Sequence, residues 1–311
     1  MQNKIKTIYD QITKKKHFLI GSSILRIAIG IHVLFSYFVY FTKRHEIWGP
    51  NSYFPMNYIH ENSIFTLYSL SDSLVYFEII YFLGIIINFL YMIGFHTKIT
   101  GILNYIWVLS LYNRNYLVLD GGNNILIIIL FFLMFADVSA HFSITERKRS
   151  ANNEILNMLH NFAIYLCLFQ VCVLYFFSGF AKSQGHMWFH GTALYYILNI
   201  SEFTQPILAK FIINSPLLLT LGAYSAILLQ IFFPLLVFNK YSKIPILVGS
   251  ICFHLSIILV MGLVQFGLIM IALDLLFVSD KQYQKAYQFI KKFKKRRRER
   301  NEKEIVKQTA S

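Results

Sequence analysis

The sequence predicts an all-α polytopic membrane protein with about eight transmembrane helices and with both termini in the cytoplasm. Composition is the first reason, because 56% of the 311 residues are hydrophobic and only 14% are charged, whereas a soluble domain carries about 25% charged residues. Long apolar runs are the second reason, and the distribution of positive charge is the third. We predict a basic N-terminal segment over residues 1–17, a membrane domain over 18–278 and a basic tail over 279–311.

Eight apolar runs follow one another along the membrane domain. Most approach the length of about 20 residues that an α-helix needs to cross a hydrocarbon core roughly 30 Å thick, and the third, fourth and eighth are shorter. Only Gly262, Gln265 and Gly267 indicate a turn between the last two runs. The predicted spans are Phe18–Phe41, Leu74–Phe95, Ile99–Leu117, Gly121–Val138, Ile155–Phe180, Leu217–Phe238, Ile244–Met261 and Phe266–Val278.

The distribution of Lys and Arg predicts the orientation. With eight spans and a cytoplasmic N-terminus, 23 of the 29 Lys/Arg residues fall on the cytoplasmic side and five on the other side, with Arg26 inside the first span. Seven spans would place the twelve Lys/Arg of residues 281–311 outside, against the positive-inside rule. We therefore predict a multi-pass protein of the cell membrane, with residues 178–196 on its extracytoplasmic face.

The net charge of +14 comes mainly from the C-terminal tail, which holds twelve Lys/Arg against three Glu. Each cation close to a membrane surface gains roughly 1 kcal/mol from anionic headgroups. The tail is therefore predicted to contact anionic lipid. No recognition motif for nucleic acid accompanies these charges, so no nucleic-acid partner is predicted.

The cysteine pattern gives no indication of a disulfide or of a zinc site. Cys167, Cys172 and Cys252 all lie inside apolar runs, which predicts three small buried side chains. Neither a CxxC pair nor a Cys/His zinc spacing occurs in the sequence. No metal site is predicted.

The segment SGFAKSQGHMWFHGTALYY, at residues 178–196, concentrates polar side chains at the end of the fifth predicted span. Lys182 is its one cation. Its side chain either extends to the lipid headgroups or lies in an apolar pocket, where loss of hydration makes the neutral amine available as a catalytic base. The sequence leaves both interpretations open.

Two histidines and a tryptophan follow Lys182. His186 and His190 are four residues apart, so they share one face if the segment is helical. Two histidines alone are a weak indication of a metal, because transition-metal sites normally have a third or fourth ligand. Trp188 is typical of a membrane interface. All three are candidate cavity or substrate-binding residues.

Several ionisable side chains lie inside the predicted spans, where each costs at least about 2.5–3.5 kcal/mol without a partner or a water-filled cavity. Arg26 is predicted to pair with Glu78 or Asp274, or to hold an anionic or quinone oxygen of a substrate. Asp274 is either that partner or a proton carrier. His254 is either a hydrogen-bonded core residue or part of a proton relay or ligand site.

The run Asp120, Gly121 and Gly122 follows the third predicted span. The glycines permit positive φ and close backbone approach. Asp120 is either the N-cap of the next helix or, with the two glycines, one wall of an extracytoplasmic site.

Four blocks of the sequence resemble the horizontally transferred transmembrane (HTTM) family. They are LRIAIGIHVL, YLVLDGGNNILIIILFFLMFAD, FFSGFAKSQGHMWFHGTALYYIL and CFHLSIILVMGLVQFGLIMIALDLLFV, which together cover most of residues 20–278. The chain length and the last block are most similar to the bacterial SdpB-like branch. The resemblance implies a factor for producing a secreted, sporulation-delaying antimicrobial peptide. It also implies two partners, an SdpC-like toxin precursor and a small SdpA-like protein.

The same family includes the vitamin K-dependent γ-glutamyl carboxylase, whose catalytic base is a lysine in a Gly-x-x-Lys context before a Trp and a Gly. Gly179, Lys182, Trp188 and Gly191 are similar to that arrangement, with one more residue between the lysine and the tryptophan. The resemblance implies an alternative function as a quinol-dependent enzyme with Lys182 as base, His254 as a second catalytic residue and a quinone as cofactor.

A third alternative is a non-enzymatic peptide transporter or immunity protein. In that case the intramembrane charges, Arg26 and Asp274 among them, line a path across the membrane. Internal repeats and paired broken helices, which many transporters contain, are not found in the sequence.

Overall fold

The computed structural model describes residues 2–62, 64–145 and 153–309 of the chain. Within these ranges the protein forms helices, short 3₁₀ turns and loops without a strand, which confirms the predicted all-α class. The helices are α1 (Gln2–Thr13), α2 (Leu19–Val39), α3 (Arg44–Trp48), α4 (Met56–Glu61), α5 (Leu74–Ile93), α6 (Thr97–Arg114), α7 (Gly121–Leu133), α8 (Glu154–Gln184), α9 (His186–Phe189), α10 (Ala193–Leu198), α11 (Pro206–Ile213), α12 (Pro216–Leu236), α13 (Lys243–Met261), α14 (Val264–Leu276) and α15 (Asp280–Thr309).

Helices α2, α5, α6, α7, α8, α12, α13 and α14 pack against one another in a bundle, and side-chain contacts identify two ends of it. Arg114 marks the first end, where its fully buried guanidinium donates to the backbone carbonyls of Gly49 and Phe54. Nearby, the side chain of Gln265 donates to Ser36 Oγ at 3.0 Å and so joins the start of α14 to the last turns of α2. We call this the Arg114 end.

Asp137 marks the opposite end, which we call the Asp137 end. Its carboxylate pairs with Lys16 at 2.6 Å, and its backbone N–H donates to the ring of His160 on α8. Asp280, the first residue of α15, accepts from the backbone N–H groups of Leu19 and Ile20 at 3.1 and 2.8 Å. Since the first turn of α2 has no side-chain cap of its own, Asp280 satisfies two amide groups that the helix leaves unpaired.

Five of these helices are long and apolar enough to cross a membrane, by length and composition: α2, α5, α8, α12 and α13. The shorter helices α7 and α14 have 13 residues each, as the short fourth and eighth runs predict. The predicted turn between the last two spans is confirmed. Helix α13 ends at Gly262, whose φ of 70° lies in the left-handed region that favours glycine.

The cysteine prediction holds for two positions and is wrong for the third. Cys167 and Cys172 are buried in the bundle, whereas Cys252 is exposed. Helix α13 is apolar on almost every face, so the pattern alone could not distinguish its packed side from its open side.

Arg26 is fully buried on α2 but forms an ion pair with neither Glu78 nor Asp274, so that prediction is wrong. Its guanidinium instead donates to the backbone carbonyl of Phe142, near the Asp137 end. Glu78 pairs with Arg44 at 2.7 Å near the Arg114 end. Arg26 and Glu78 therefore lie at different depths of the bundle. The assignment of residues to predicted spans does not give this depth, so it could not exclude the pair.

Helices α8 and α12 approach closely at Gly179. A Cβ atom at this position would lie 2.8 Å from the backbone nitrogen of Ile231 and 2.9 Å from Cβ of Gln230. Both distances are too short for a real side chain. Small residues permit this kind of close helix packing in membrane proteins, so Gly179 sets the spacing of the two helices.

Replacement of Gly179 by alanine is therefore expected to destabilise the fold by about 1–3 kcal/mol, because the added methyl group pushes against backbone rather than against a movable side chain. Unfolding of the purified protein in detergent measures the effect. Gly249→Ala is the matched control, since a Cβ there would meet only Leu229 at an ordinary 3.5 Å. Equal stability of the two variants would contradict this role of Gly179.

Candidate functional site

A cavity of about 680 Å³ opens between α8, α12 and α13, next to the Arg114 end. Its volume lies within the range of about 300–1,000 Å³ that is typical of small-molecule sites. Helices α9, α10 and α11 and the start of α14 cover it toward that end. The lining residues are Ser178, Lys182, Trp188, Leu194, Ile197, Leu198, Ile212, Leu218, Gly222, Ser225, Ala226, Leu229, Gln230, Gly249, Cys252, Phe253, Ser256, Ile257, Val260, Met261, Leu263 and Phe266.

Among the described residues of this lining, Lys182 is the one with a charged side chain. Its Nζ donates to Oγ of Ser178 at 2.8 Å and lies 3.4 Å from the carbonyl oxygen of the same residue. Trp188 packs over the ammonium group, 5.4 Å from Nζ to the ring centre. Since Ser178 lies one turn earlier on α8, the side chain is directed back along the helix rather than beyond its end. This geometry favours the pocket interpretation over a lysine that extends to headgroups.

Gln230 is the second strongly polar residue of the lining. It is only 6% exposed, and its amide oxygen Oε1 has no hydrogen-bond partner. Its Cβ packs at Gly179, next in sequence to Ser178. A buried amide oxygen without a donor costs about 1–3 kcal/mol.

The cavity opens through the side of the bundle. Four of its lining residues are exposed, namely Leu218, Ser225, Cys252 and Ser256. Ser225 and Cys252 lie near the middle of α12 and α13, far from the helix ends. These exposed residues place an opening of the cavity along the sides of α12 and α13.

A buried polar cluster lies behind the cavity wall. The hydroxyl of Tyr175 lies 2.5 Å from Ser250 Oγ, 2.7 Å from His254 Nε2, and 3.0 and 3.1 Å from the two carboxylate oxygens of Asp274. Ser250 also donates to Asp274 at 2.5 Å. All four side chains are at most 1% exposed, so α8, α13 and α14 share one hydrogen-bonded group in the bundle core.

Ser250 donates to Asp274, and Nε2 of His254 lies within hydrogen-bond distance of the Tyr175 oxygen, while Nδ1 of His254 is a buried nitrogen without a partner. The His254 ring contacts Phe266, whose ring lines the cavity. His254 and Asp274 therefore form a core network next to the cavity, and neither lines it.

Asp120 serves as the N-cap of α7. Its carboxylate accepts from the backbone N–H of Asn123 at 3.0 Å, while the Asn123 side chain accepts from the backbone N–H of Asp120, which completes a capping box. Gly121 and Gly122 pack against Phe266 from outside the cavity. These three residues support the wall at Phe266 and do not line the site.

His186 and His190 lie on one face, as predicted, with their Nε2 atoms 3.1 Å apart. Both are exposed and outside the cavity lining. In the described part of the chain no group of three or more His, Cys, Asp or Glu residues is arranged to hold a metal ion. Of the three candidates after Lys182, Trp188 alone contacts the lysine and lines the cavity.

Sequence reasoning missed Ser178, Gln230, Tyr175 and Ser250. Ser178, Gly179 and Lys182 share a helical face with Tyr175, at spacings of three, four and seven residues. This spacing could have identified Ser178 and Tyr175 as neighbours of Lys182. Gln230 and Ser250 belong to other helices, so no spacing in the sequence relates them to Lys182.

The chain is similar to the uncharacterized protein YitO of Bacillus subtilis (strain 168). The two are 30% identical over 203 residues, which are 61% of this chain and 63% of YitO. The chain thus spans less than two thirds of the length of that relative. No protein-family model matches the chain, and no solved structure matches it. Because YitO is itself uncharacterized, the similarity transfers no activity to this protein.

Proposed function

We propose that the chain is an integral membrane factor in the maturation of a secreted antimicrobial peptide of the sporulation-delaying type. The observation that carries the proposal is the position of Lys182. It is the single charged group of an apolar cavity that opens through the side of the bundle. A site of this kind can receive a hydrophobic substrate from the bilayer and hold one polar group of it at the lysine.

The proposed topology has eight transmembrane helices, both termini in the cytoplasm and the Arg114 end outside. The excess of Lys/Arg that this topology places on the cytoplasmic side supports it. The cavity then lies near the extracytoplasmic face, where an exported SdpC-like precursor is available. A small SdpA-like protein is the proposed partner at that face, by resemblance to the SdpB-like branch.

The basic helix α15 is proposed to lie against anionic lipid at the cytoplasmic surface. Residues 285–297 of this helix are exposed, and seven of them are Lys or Arg. Asp280 joins the start of α15 to α2, which keeps the cations close to the membrane domain.

Deletion of the gene for this chain in its native host tests the proposal. Mass spectrometry of the secreted peptide, with and without a plasmid-borne copy, is the measurement. We expect the precursor to be made and exported while the mature, active peptide disappears. Unchanged mature peptide in the deletion strain would reject the maturation role. Precursor retained inside the cell would instead favour the transporter alternative.

Quinol-dependent base chemistry at Lys182 is the second candidate function. The observation that favours it is the apolar surrounding of the amine, because Trp188, Phe253 and Phe266 contribute aromatic surface to the same cavity. Nζ of Lys182 would donate to an oxygen of a quinone or quinol, and Gln230 lines the same cavity. Such a cofactor, when bound, supplies the redox chemistry, and Lys182 as a neutral amine takes up a proton at Nζ.

A further inference from the structure

We propose that the cavity binds one long-chain fatty acid, with its ionised carboxyl group at the Lys182 ammonium and its hydrocarbon chain along the apolar lining. Such a lipid would occupy the cavity whatever reaction takes place there, so its binding is independent of peptide maturation. Three features of the cavity support this ligand: the charge state of the contacts at Lys182, the composition of the lining, and the opening along α12 and α13.

Lys182 carries a cationic group for which the described residues provide no counter-ion. The ion pairs among those residues join other side chains. The hydrogen-bond partners of Nζ are neutral, namely the hydroxyl and carbonyl oxygens of Ser178. The ring of Trp188, 5.4 Å from Nζ, attracts the cation without neutralising it. A charge in apolar surroundings is costly without an opposite charge, so an anionic ligand group at Nζ would stabilise the site.

A carboxylate matches the donors that Lys182 still has. An ammonium group has three N–H donors. The hydroxyl of Ser178 accepts one of them at 2.8 Å, and the carbonyl oxygen of Ser178 lies at the longer distance of 3.4 Å, so at least one N–H remains for a ligand. A carboxylate has a single negative charge, which one lysine balances. A phosphate monoester carries about two, and the second charge would stay without a partner.

The rest of the lining suits a hydrocarbon chain better than a peptide. Ser225 and Ser256 donate to carbonyl oxygens of their own helices, at 3.0 and 2.7 Å, and the amide oxygen of Gln230 is buried. Most other lining residues are aliphatic or aromatic, and contact with them removes a hydrocarbon chain from water. A peptide would bring the N–H and carbonyl groups of each residue next to these side chains, and each unpaired group costs free energy.

The opening of the cavity gives a fatty acid access to this lining. Leu218, Ser225, Cys252 and Ser256 line the cavity and are exposed on α12 and α13. Both helices are long and apolar enough to cross a membrane. In the proposed topology their sides lie in the bilayer, where fatty acids concentrate because of their hydrocarbon chains.

Native mass spectrometry of the purified full-length chain in detergent tests the proposal with tetradecanoate, tetradecanol and tetradecyl phosphate. Dissociation constants are compared between the native chain and Lys182→Gln. Each amphiphile is compared with itself, so its partition into micelles cancels. We expect Lys182→Gln to weaken tetradecanoate binding about tenfold, since a hydrogen bond to a charged group contributes at least about that factor. Binding of tetradecanol should change by less than about twofold, because the alcohol has no charge to lose a partner.

Two further variants separate the head group from the chain. Lys210→Gln, at an exposed lysine on α11 outside the lining, should bind all three amphiphiles like the native chain. Gly249 lines the cavity, and a Cβ there would meet Leu229 at an ordinary 3.5 Å. Gly249→Leu therefore places a side chain in the cavity, and it should weaken tetradecanoate and tetradecanol to the same extent.

Equal loss of tetradecanoate and tetradecanol binding in Lys182→Gln would overturn the proposal, because the lysine would then support the cavity and not the carboxylate. Unchanged tetradecanoate binding in Gly249→Leu would overturn it as well, since the lipid would lie outside the cavity. A larger loss for tetradecyl phosphate than for tetradecanoate in Lys182→Gln would contradict the choice of a carboxylate. Tighter binding of a short apolar peptide with a free C-terminus than of tetradecanoate would reject the fatty acid.

Discussion

Replacement of Lys182 by alanine is expected to lower the output of mature peptide by about a hundredfold, while the protein remains in the membrane at its normal level. The reason is that the cavity loses its one charged group and every hydrogen bond made by Nζ, and removal of a proton-transfer group costs about this factor. Mass spectrometry of the secreted peptide measures the product, and an immunoblot of membranes measures the protein.

Lys210→Ala is the matched control, because Lys210 is an exposed lysine on α11 outside the cavity. It should leave peptide output unchanged. Full activity of Lys182→Ala would mean that the lysine has no role in the site, and it would exclude both the base and the binding role.

Lys182→Arg distinguishes the two roles that remain for the lysine. A guanidinium stays charged and cannot serve as a base, although it binds carboxylates well. Retained output of this variant would assign Lys182 to binding an anionic group, whereas loss equal to that of Lys182→Ala would favour proton transfer by the neutral amine.

Asp274→Ala is expected to lower the free energy of unfolding by about 2–6 kcal/mol, because two buried hydroxyl groups lose their acceptor at about 1–3 kcal/mol each. The substitution deprives Ser250 and Tyr175 of their acceptor in a region that is at most 1% exposed. Denaturant unfolding of the purified protein in mixed micelles gives the difference. Asp72→Ala, at an exposed residue in the loop before α5, is the control. It should change the free energy of unfolding by only a small fraction of the loss expected for Asp274→Ala.

Tyr175→Phe gives a second measurement on the same cluster. The ring remains stacked on Phe233, with centroids 4.1 Å apart, while the hydroxyl that joins His254 to Asp274 is lost. We expect a smaller loss of about 1–3 kcal/mol, because packing is kept and only hydrogen bonds are removed. Unchanged stability of both Asp274→Ala and Tyr175→Phe would show that the cluster does not hold α8, α13 and α14 together.

The partner of each charged side chain depends on its depth in the bundle and on the rotation of its helix. Hydrophobic periodicity in the sequence predicts neither. Arg26 was expected to pair with Glu78 or Asp274, yet each of the three side chains contacts a different group: the carbonyl of Phe142, the side chain of Arg44 and the hydroxyl of Tyr175. A side chain inside a membrane bonds to the nearest available polar group. Which group is nearest follows from helix packing and loop contacts.

Sequence patterns predicted the structure best at helix ends, where the conformation depends on neighbouring residues. Asp120 caps the helix that follows it, and Gly262 ends α13 with positive φ, because capping and turn formation depend on a few neighbouring residues. Cys252 shows the limit. An apolar helix can be recognised from its residues, but an open face on that helix depends on what the neighbouring helices leave uncovered.

The amino-acid sequence by itself determined the helical class, the order of the helices, several of their ends and the importance of the segment around Lys182. Those properties follow from hydrophobicity, from helix-end chemistry and from charge placement along one chain. Only the tertiary structure decided that Lys182 turns back to Ser178, that Gln230 has a buried amide oxygen without a partner, and that both residues line one cavity. These relations join helices separated by about 50 residues, and close packing at Gly179 brings them together.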